Sequence, residues 1–432
     1  MSRSTAKSLT PLVGTKKFIT AKDEYSFKGR RLTGRILHIT DMHIDQFYKA
    51  HSDPKQACHR FNVDPSRNVA GPYGHLGIKC DAPVSLINAT FDFLTASGLN
   101  DVDMVIYTGD TARHDWDKTE LPRTAEQALE AHHIALDRML NAFDTSKIPI
   151  ITTIGNNDPL VSEVLSYGSQ EIYQQLGDMW SKLGLGIEKQ DSFKKGGYFV
   201  YEFAPTLNVI SLNSMFFFTY NTAVKSCRHG TPGAGMLDWL KQQLRDARDS
   251  GKRVWLMSHV EMTDQAGRHE YYPDCEEKYT TLLVQYADTI TGHFHGHDNS
   301  DHISYVYLDD MNTYHTESVT ANYPYMHAAE DRQIAHFMLN APSITTAKNP
   351  GVRTYKYDVE TMALTDYTQY WTDLYQDNLE GRVMYRKEYT FSEAFGNDLS
   401  HDGLTKTVRE IQKGGVAFDR YIQYMNVTGV FQ

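Results

Sequence analysis

Five short polar motifs in this chain each stand at the end of an apolar run: Asp41-Met42-His43, Gly109-Asp110, Gly155-Asn156-Asn157-Asp158, Ser258-His259 and Gly292-His293-Phe294-His295. The runs before them, 35–40, 104–108, 148–154, 254–257 and, more weakly, 286–290, read as buried strands. Loops leaving the carboxyl ends of sheet strands collect along one edge, where open α/β folds place their ligands. Two aspartates, one asparagine and four histidines then converge. That donor set predicts an α/β protein holding two metal ions, with the chemistry of a dinuclear hydrolase.

The remaining pattern predicts two packed sheets with helices on their outer faces. A helix begins near Pro83, with Val84, Ile87, Phe91 and Leu94 on one face, and others cover 124–143, 160–183 and 236–247. Strands at 198–203 and 207–212 pair antiparallel in the second sheet, which 303–307 and 354–357 close. The stretch 314–332, with many Tyr and His but little pattern, is expected to rim the site as an insertion. Residues 1–33 read as a polar arm, 34–375 as the main domain, and 376–432 as a mostly helical extension interrupted at Gly414-Gly415. A chain of 432 residues is long for one domain, but a hydrophobic content of 41% supports one large core with insertions.

The formal charge of −11 sets the chain as a whole against polyanions, so broad nucleic-acid binding is not expected. A small anionic substrate is still compatible, because bound cations dominate the field of their own site. No run of about 18 apolar residues occurs, which predicts no membrane span. The first residues carry basic groups without an apolar stretch behind them and do not read as a signal peptide. Four cysteines allow three pairings. Cys58 and Cys80 bracket a loop rich in Gly, Pro, Asn and Arg, where a disulfide constrains most. Cys58–Cys80 with Cys227–Cys275 is the expected pairing, and four reduced thiols are the alternative.

A two-ion site needs one carboxylate between the ions and enough neutral donors to limit the charge. Asp110 suits the bridging place, since Gly109 lets the backbone turn sharply after its strand. Asp41 and His43 reach the first ion from alternate residues of an extended loop. Asn156, through its amide oxygen, and His259 reach the second. His295 is assigned to the first ion and His293 to the second. The mix of nitrogen and oxygen suits Zn²⁺, Mn²⁺, Fe or Co²⁺ better than Ca²⁺. Ions about 3.5–4 Å apart can share a water and bring its pKa toward about 7. His297, beside Gly296, is expected at the rim. Lys225, Arg228 and His229 form a basic cluster read as a solvated loop.

The ordered set resembles the calcineurin-like metallophosphoesterase superfamily and, within it, the acid sphingomyelinase-like branch with its endopolyphosphatases. The resemblance is carried by 36–43, Cys58-His59-Arg60, Tyr73-Gly74, Cys80-Asp81-Ala82-Pro83, 107–115, 154–158, 291–295, 341–353 and 364–370, and covers residues 35–375 or so. It implies a four-layer αββα sandwich, two divalent metal ions, and hydrolysis of phosphoanhydride bonds in inorganic polyphosphate. A phosphodiester of nucleotide or sphingomyelin type is the alternative substrate. It also implies work in a vacuole or another acidic lumen, whereas the lack of a signal or anchor favours the cytoplasm. Most of the superfamily reads Gly-Asn-His at the third motif. Here the third position is Asn157, which can hold a phosphate oxygen but cannot donate a titrating proton. His114 then becomes the candidate general acid and Arg113 the candidate phosphate clamp. A supporting place beside the metal ligands is the alternative for His114, and loop capping that for Asn157. A polyphosphate leaving group is a stable anion, so loss of a strong acid is tolerable for that substrate.

Overall fold

The computed structural model describes residues 25–321 and 332–430. Residues 1–24 of the expected arm and 322–331 of the expected rim insertion lie outside the described residues. The principal strands are, in chain order, β1 (Arg35–Ile39), β2 (Met104–Tyr107), β3 (Ile150–Thr152), β4 (Phe199–Ala204), β5 (Leu207–Ser211), β6 (Arg253–Met257), β7 (Ile290–His295), β8 (Ile303–Leu308), β9 (Tyr314–Ser318), β10 (Gln333–Asn340), β11 (Gly351–Tyr357), β12 (Leu364–Trp371) and β13 (Arg386–Thr390). One sheet has the order β13-β12-β11-β1-β2-β3 and the other β9-β8-β10-β7-β6-β5-β4.

Within the first sheet β1, β2 and β3 are parallel. Within the second, β5, β6, β7 and β10 are parallel. Parallel neighbours need crossover connections: α1 (Val84–Ala96) and α2 (Ala125–Ala142) link β1 to β2 and β2 to β3, α3 (Glu171–Trp180) lies on the passage from β3 to the second sheet, and α4 (Pro232–Asp249) and α5 (Pro273–Gln285) link β5 to β6 and β6 to β7. Helix α2 starts where its sequence says it should, because Thr124 and Gln127 form a reciprocal capping box. Helix α3 is shorter than the expected 160–183. Asn221 takes the Leu165 N–H (3.2 Å) and donates to the Leu165 carbonyl (2.9 Å), so that stretch is held as loop.

The two sheets meet face to face through aromatic rings. Phe294 of β7 lies edge-on to His38 of β1 (5.8 Å) and Tyr355 of β11 (5.2 Å), and Trp255 of β6 meets Tyr357 at 5.1 Å. Trp255 is fully buried, and its indole N–H donates to the Met362 carbonyl at 2.8 Å. Strands buried on both faces read as continuous apolar runs, which is why β2 and β6 were legible.

Two strand expectations need correction. The stretch containing 354–357 does not close the second sheet; β11 pairs antiparallel with β1 in the first. Apolar alternation marks a strand but does not choose its sheet. The strand expected at 286–290 is displaced: Tyr286 caps α5 through an N–H bond to Leu282, and β7 runs from Ile290 through His295.

The C-terminal part contributes β13 to the first sheet and the helices α6 (Leu374–Glu380), α7 (Phe391–Phe395), α8 (His401–Gln412) and α9 (Val416–Met425), with Gly414 and Gly415 between the last two. Helix α9 reaches back to the second sheet, where the Tyr421 hydroxyl accepts the Ile303 N–H at 2.7 Å. The Asp301 carboxylate takes the Tyr389 hydroxyl and the Arg353 guanidinium. Both expected disulfides, Cys58–Cys80 and Cys227–Cys275, are formed. The first closes the loop bearing His59, whose ring nitrogens lie 2.9 Å from Asp45 Oδ2 and 2.8 Å from Asp117 Oδ2. Among the described residues no helix is long and apolar enough to cross a membrane.

Candidate metal centre

The loops after β1, β2, β3, β6 and β7 meet at one edge of the sandwich. Asp41, His43 and Asp110 hold positive φ angles of 49°, 38° and 58°. Non-glycine residues in that region carry on the order of 1–3 kcal/mol of strain and persist only where surrounding structure imposes it. Here a short ladder between two loops does so: Asp41 N–H donates to Gly109 O (2.9 Å), His43 N–H to Asp110 O (3.1 Å) and Ile44 N–H to Thr111 O (2.8 Å). Asp158 accepts the N–H groups of Gly155 (2.7 Å), Asp110 (3.0 Å) and Thr111 (2.7 Å), locking the β2 and β3 loops together. Sequence reasoning gave Asp158 no task; its only signal was membership of the third motif. A Cβ at Gly155 would collide with Asp110 Oδ1, and one at Gly296 with Thr40 Oγ1, so these loops approach as closely as glycine alone allows.

The Asp110 carboxylate is the centre of the arrangement. Its Oδ2 lies 3.4 Å from His43 Nε2 and 3.3 Å from His259 Nε2. Asp41 Oδ1 is 3.5 Å from His43 Nε2 and, although buried, has no hydrogen-bond partner among the described residues. Asn156 Oδ1 is 2.9 Å from both His259 Nε2 and His297 Nδ1. The His259 Nδ1–H donates to Thr108 O (2.7 Å) and the His43 Nδ1–H to Ala112 O (3.2 Å), which turns both Nε2 atoms toward Asp110. Two donor groups overlap at this carboxylate: Asp41, His43 and Asp110, and Asp110, His259 and His297.

The fold therefore brings together Asp41, His43, Asp110, Asn156 and His259, and adds His297, which was expected at the rim. It does not bring His293 and His295 to this cluster. Both are interior residues of β7: His293 Nε2 is 3.0 Å from the Tyr279 hydroxyl, His293 Nδ1 is 3.0 Å from His336 Nε2, and His295 Nδ1 is 3.1 Å from Ser258 Oγ. The reason is the displaced strand, which carries the chain to the sheet edge only at Gly296. The repeated Gly-His at Gly296-His297 was the available signal.

Electrostatics show why a cation fits. Burial works against protonating His43, yet the Asp110 charge, with help from Asp41 and Asp81, raises it to about 9. Burial likewise opposes His259, and Asp110 and Asp41 raise it to about 9. Burial opposes ionising Asp110 too, but His259 and His43 hold its carboxyl well below the usual range. The donor set, the unpartnered Asp41 oxygen and two protons held by a buried acidic pair all fit divalent cations. Because both histidines sit above their ordinary 6.5, the stabilisation they give the metal-free chain is fully present below that value and is lost as pH rises through about 9. Metal uptake near pH 7.5 should consequently release between about one and two protons per chain. Titrating the metal-free protein with Mn²⁺ in weak buffer and following pH checks this; uptake with no proton release would refute it.

Beside the centre lies a cleft of about 270 Å³ lined by His114, Trp116, Lys118, Arg123, Asn157 and Glu163, among others. His114 stacks on His43 at 4.0 Å, and its Nδ1 is tied to Asp81 Oδ1 at 2.8 Å. Arg113 is not placed to clamp phosphate. It is buried, and its guanidinium donates to the carbonyls of His114 (3.1 Å) and Leu121 (3.0 Å) and to Gln127 Oε1 (3.0 Å). The cleft-lining guanidinium is that of Arg123, which holds the carbonyls of Asn157 and Pro159. Asn157 gives its backbone N–H to Asp110 Oδ1 (2.7 Å) and its side-chain amide to Asp110 Oδ2 (3.0 Å), so it steadies the shared carboxylate. Lys225, Arg228 and His229 lie exposed on the loop around Cys227.

The profile of the Calcineurin-like phosphoesterase family matches residues 34–300, and that of the Acid sphingomyelin phosphodiesterase C-terminal region matches 334–429. An endopolyphosphatase of Cryptococcus neoformans is 37% identical over 315 residues, covering 66% of this chain and 45% of that protein. One of Neurospora crassa is 39% identical over 282 residues, covering 63% of this chain and 38% of that protein. The chain thus spans less than half the length of these two relatives. Sphingomyelinase phosphodiesterase C of Dictyostelium discoideum is 27% identical over 372 residues, covering 84% of this chain and 78% of that protein. With the family profile spanning more than half of its residues and reaching past His297, the chain belongs to the calcineurin-like phosphoesterases, whose fold implies divalent metal ions.

Proposed function

We propose that this chain hydrolyses phosphoanhydride bonds of inorganic polyphosphate, using two divalent ions. Asp41, His43 and Asp110 would hold one ion, and Asp110, Asn156, His259 and His297 the other. The observation that carries this reading is the Asp110 carboxylate, placed between two histidine-bearing groups beside a cleft that presents His114, Lys118 and Arg123. The two fungal relatives named as endopolyphosphatases support the substrate class. Zn²⁺, Mn²⁺, Fe or Co²⁺ suits the nitrogen and oxygen donors, and such ions supply Lewis acidity and a water of lowered pKa.

The chain's own side chains set the rest. Asn157 fixes the orientation of Asp110 and has no proton to give. His114, oriented by Asp81 through Nδ1, offers Nε2 to the leaving oxygen. Lys118 and Arg123 balance phosphate charge along the cleft wall. A phosphodiester is the second reading, favoured by the Dictyostelium relative that this chain matches over most of both lengths. The two disulfides favour an oxidising compartment, and an acidic lumen is the proposed place of action.

Products are to be compared after incubating the metal-loaded protein with long polyphosphate, a nucleotide diester and a choline phosphodiester. Polyphosphate should be shortened fastest. A phosphate leaving group needs little protonation, so His114→Ala should cost less than about 10-fold on polyphosphate and about 10²-fold or more on an alkyl diester. Good hydrolysis of the choline or nucleotide diester with polyphosphate left intact would overturn the assignment.

A further inference from the structure

Close in the chain to His259 and His297 stands a second donor group that the centre above does not use. Glu261, Asp298 and His302 each bring one ligand atom within 4.8 Å of the others. Glu261 is 1% exposed, and among the described residues neither of its carboxylate oxygens has a hydrogen-bond partner. A carboxylate buried without a donor is costly, while two of its acidic neighbours have donors of their own. Asp298 Oδ2 accepts the Gln265 N–H (2.8 Å) and the Ser300 hydroxyl (3.0 Å), and Asp264 pairs with Arg268 at 2.5 Å. Lys348 lines the adjoining cleft, but its ammonium is held by Gln265 Oε1 (2.9 Å) and the Met425 carbonyl (3.3 Å).

The histidine points the same way. His302 Nε2 lies 3.4 Å from the Thr263 carbonyl, which can only accept, so Nε2 carries the proton and Nδ1 the lone pair. That lone pair is 3.4 Å from Asp298 Oδ2 and 3.0 Å from Ser300 Oγ. Ser300 has one proton for two acceptors. Three acceptor groups thus face one another, with the Lys348 ammonium acting on Asp298 and His302 from the adjoining cleft. A cleft of about 260 Å³ reaches Asp298 from solvent and is lined also by Asp264, Glu270, His297, Arg268 and Lys348.

We propose that Glu261, Asp298 and His302 bind a further divalent cation, distinct from the two ions around Asp110. Two carboxylates and one imidazole suit Mn²⁺ or Zn²⁺ better than Ca²⁺. The cation joins the loop after β6, which carries His259, to the loop after β7, which carries His297. It therefore acts on the catalytic centre by positioning those two imidazoles, and the inference stands whichever phosphate substrate is cleaved.

The test counts ions. Elemental analysis after Mn²⁺ loading and gel filtration is made on the unmodified chain, Glu261→Gln, Asp110→Asn and the double variant, with circular dichroism to verify folding. Glu261→Gln should lower the content by one ion per chain, both in the unmodified chain and in the Asp110→Asn background. Equal metal content with and without Glu261→Gln in either background overturns the proposal. Retention of every ion by Asp110→Asn would count against the catalytic centre alone. If Glu261→Gln does not fold, the Asp110→Asn chain decides: Mn²⁺ should still raise its Tm saturably with one ion bound, and no shift overturns the proposal.

Discussion

Asp110→Asn should lower kcat/KM by about 10³-fold or more and weaken both catalytic ions together. The size of the effect follows from position. Oδ2 of Asp110 stands 3.4 and 3.3 Å from the His43 and His259 Nε2 atoms, so one carboxylate serves both halves of the site. The substitution is nearly isosteric but removes the charge that balances two cations. It also places an amide against Asn157, whose N–H and side-chain amide both donate to this carboxylate. Elemental analysis and steady-state kinetics on the same preparation check the result. Full activity from protein that holds one ion or none would sink the two-ion arrangement.

The second large effect separates three histidines that alternate along one stretch of chain. His297→Ala should weaken metal binding by on the order of 10²-fold or more and reduce activity in proportion, because the imidazole stands in the Asp110 and His259 group. His293→Gln and His295→Gln should leave the number of bound ions unchanged and lower the thermal midpoint, since both rings are buried within β7 among His336, Tyr279 and Ser258. Metal content distinguishes the outcomes. Loss of an ion from His295→Gln with none lost from His297→Ala would reverse the assignment.

This contrast shows where the sequence is legible and where it is not. Strands β1, β2, β3 and β6 were readable because both faces of each are buried and their apolar runs end sharply at polar residues. Asp41, His43, Asp110, Asn156 and His259 follow directly from those ends. Strand β7 lacks that contrast. Its run is mixed, and His293, His295 and His297 share one face by alternation, so only the true strand end selects among them. That end is set by the cap of α5 at Tyr286 and by pairing of Phe294 and His295 with β10, both tertiary facts. The Arg113 expectation failed for a similar reason. A guanidinium beside a catalytic motif reads as a clamp until the backbone carbonyls of His114 and Leu121 are seen to occupy it. The placement of 351–357 in the first sheet was equally out of reach, because no local pattern tells a strand which edge awaits it.

The bond from Ile303 to Tyr421, with Asp301 gripped by Tyr389 and Arg353, makes the two ends of the second half of the chain mutually dependent. The segment so gripped is the one that follows His297 and Asp298. Loss of the Asp301 carboxylate would take from the Tyr389 hydroxyl and the Arg353 guanidinium the acceptor that they share, far apart as the three are along the chain. A shortened recombinant version ending before α9 would strip the support from behind a metal-site loop, leaving the motifs intact on paper and the hand that holds them missing.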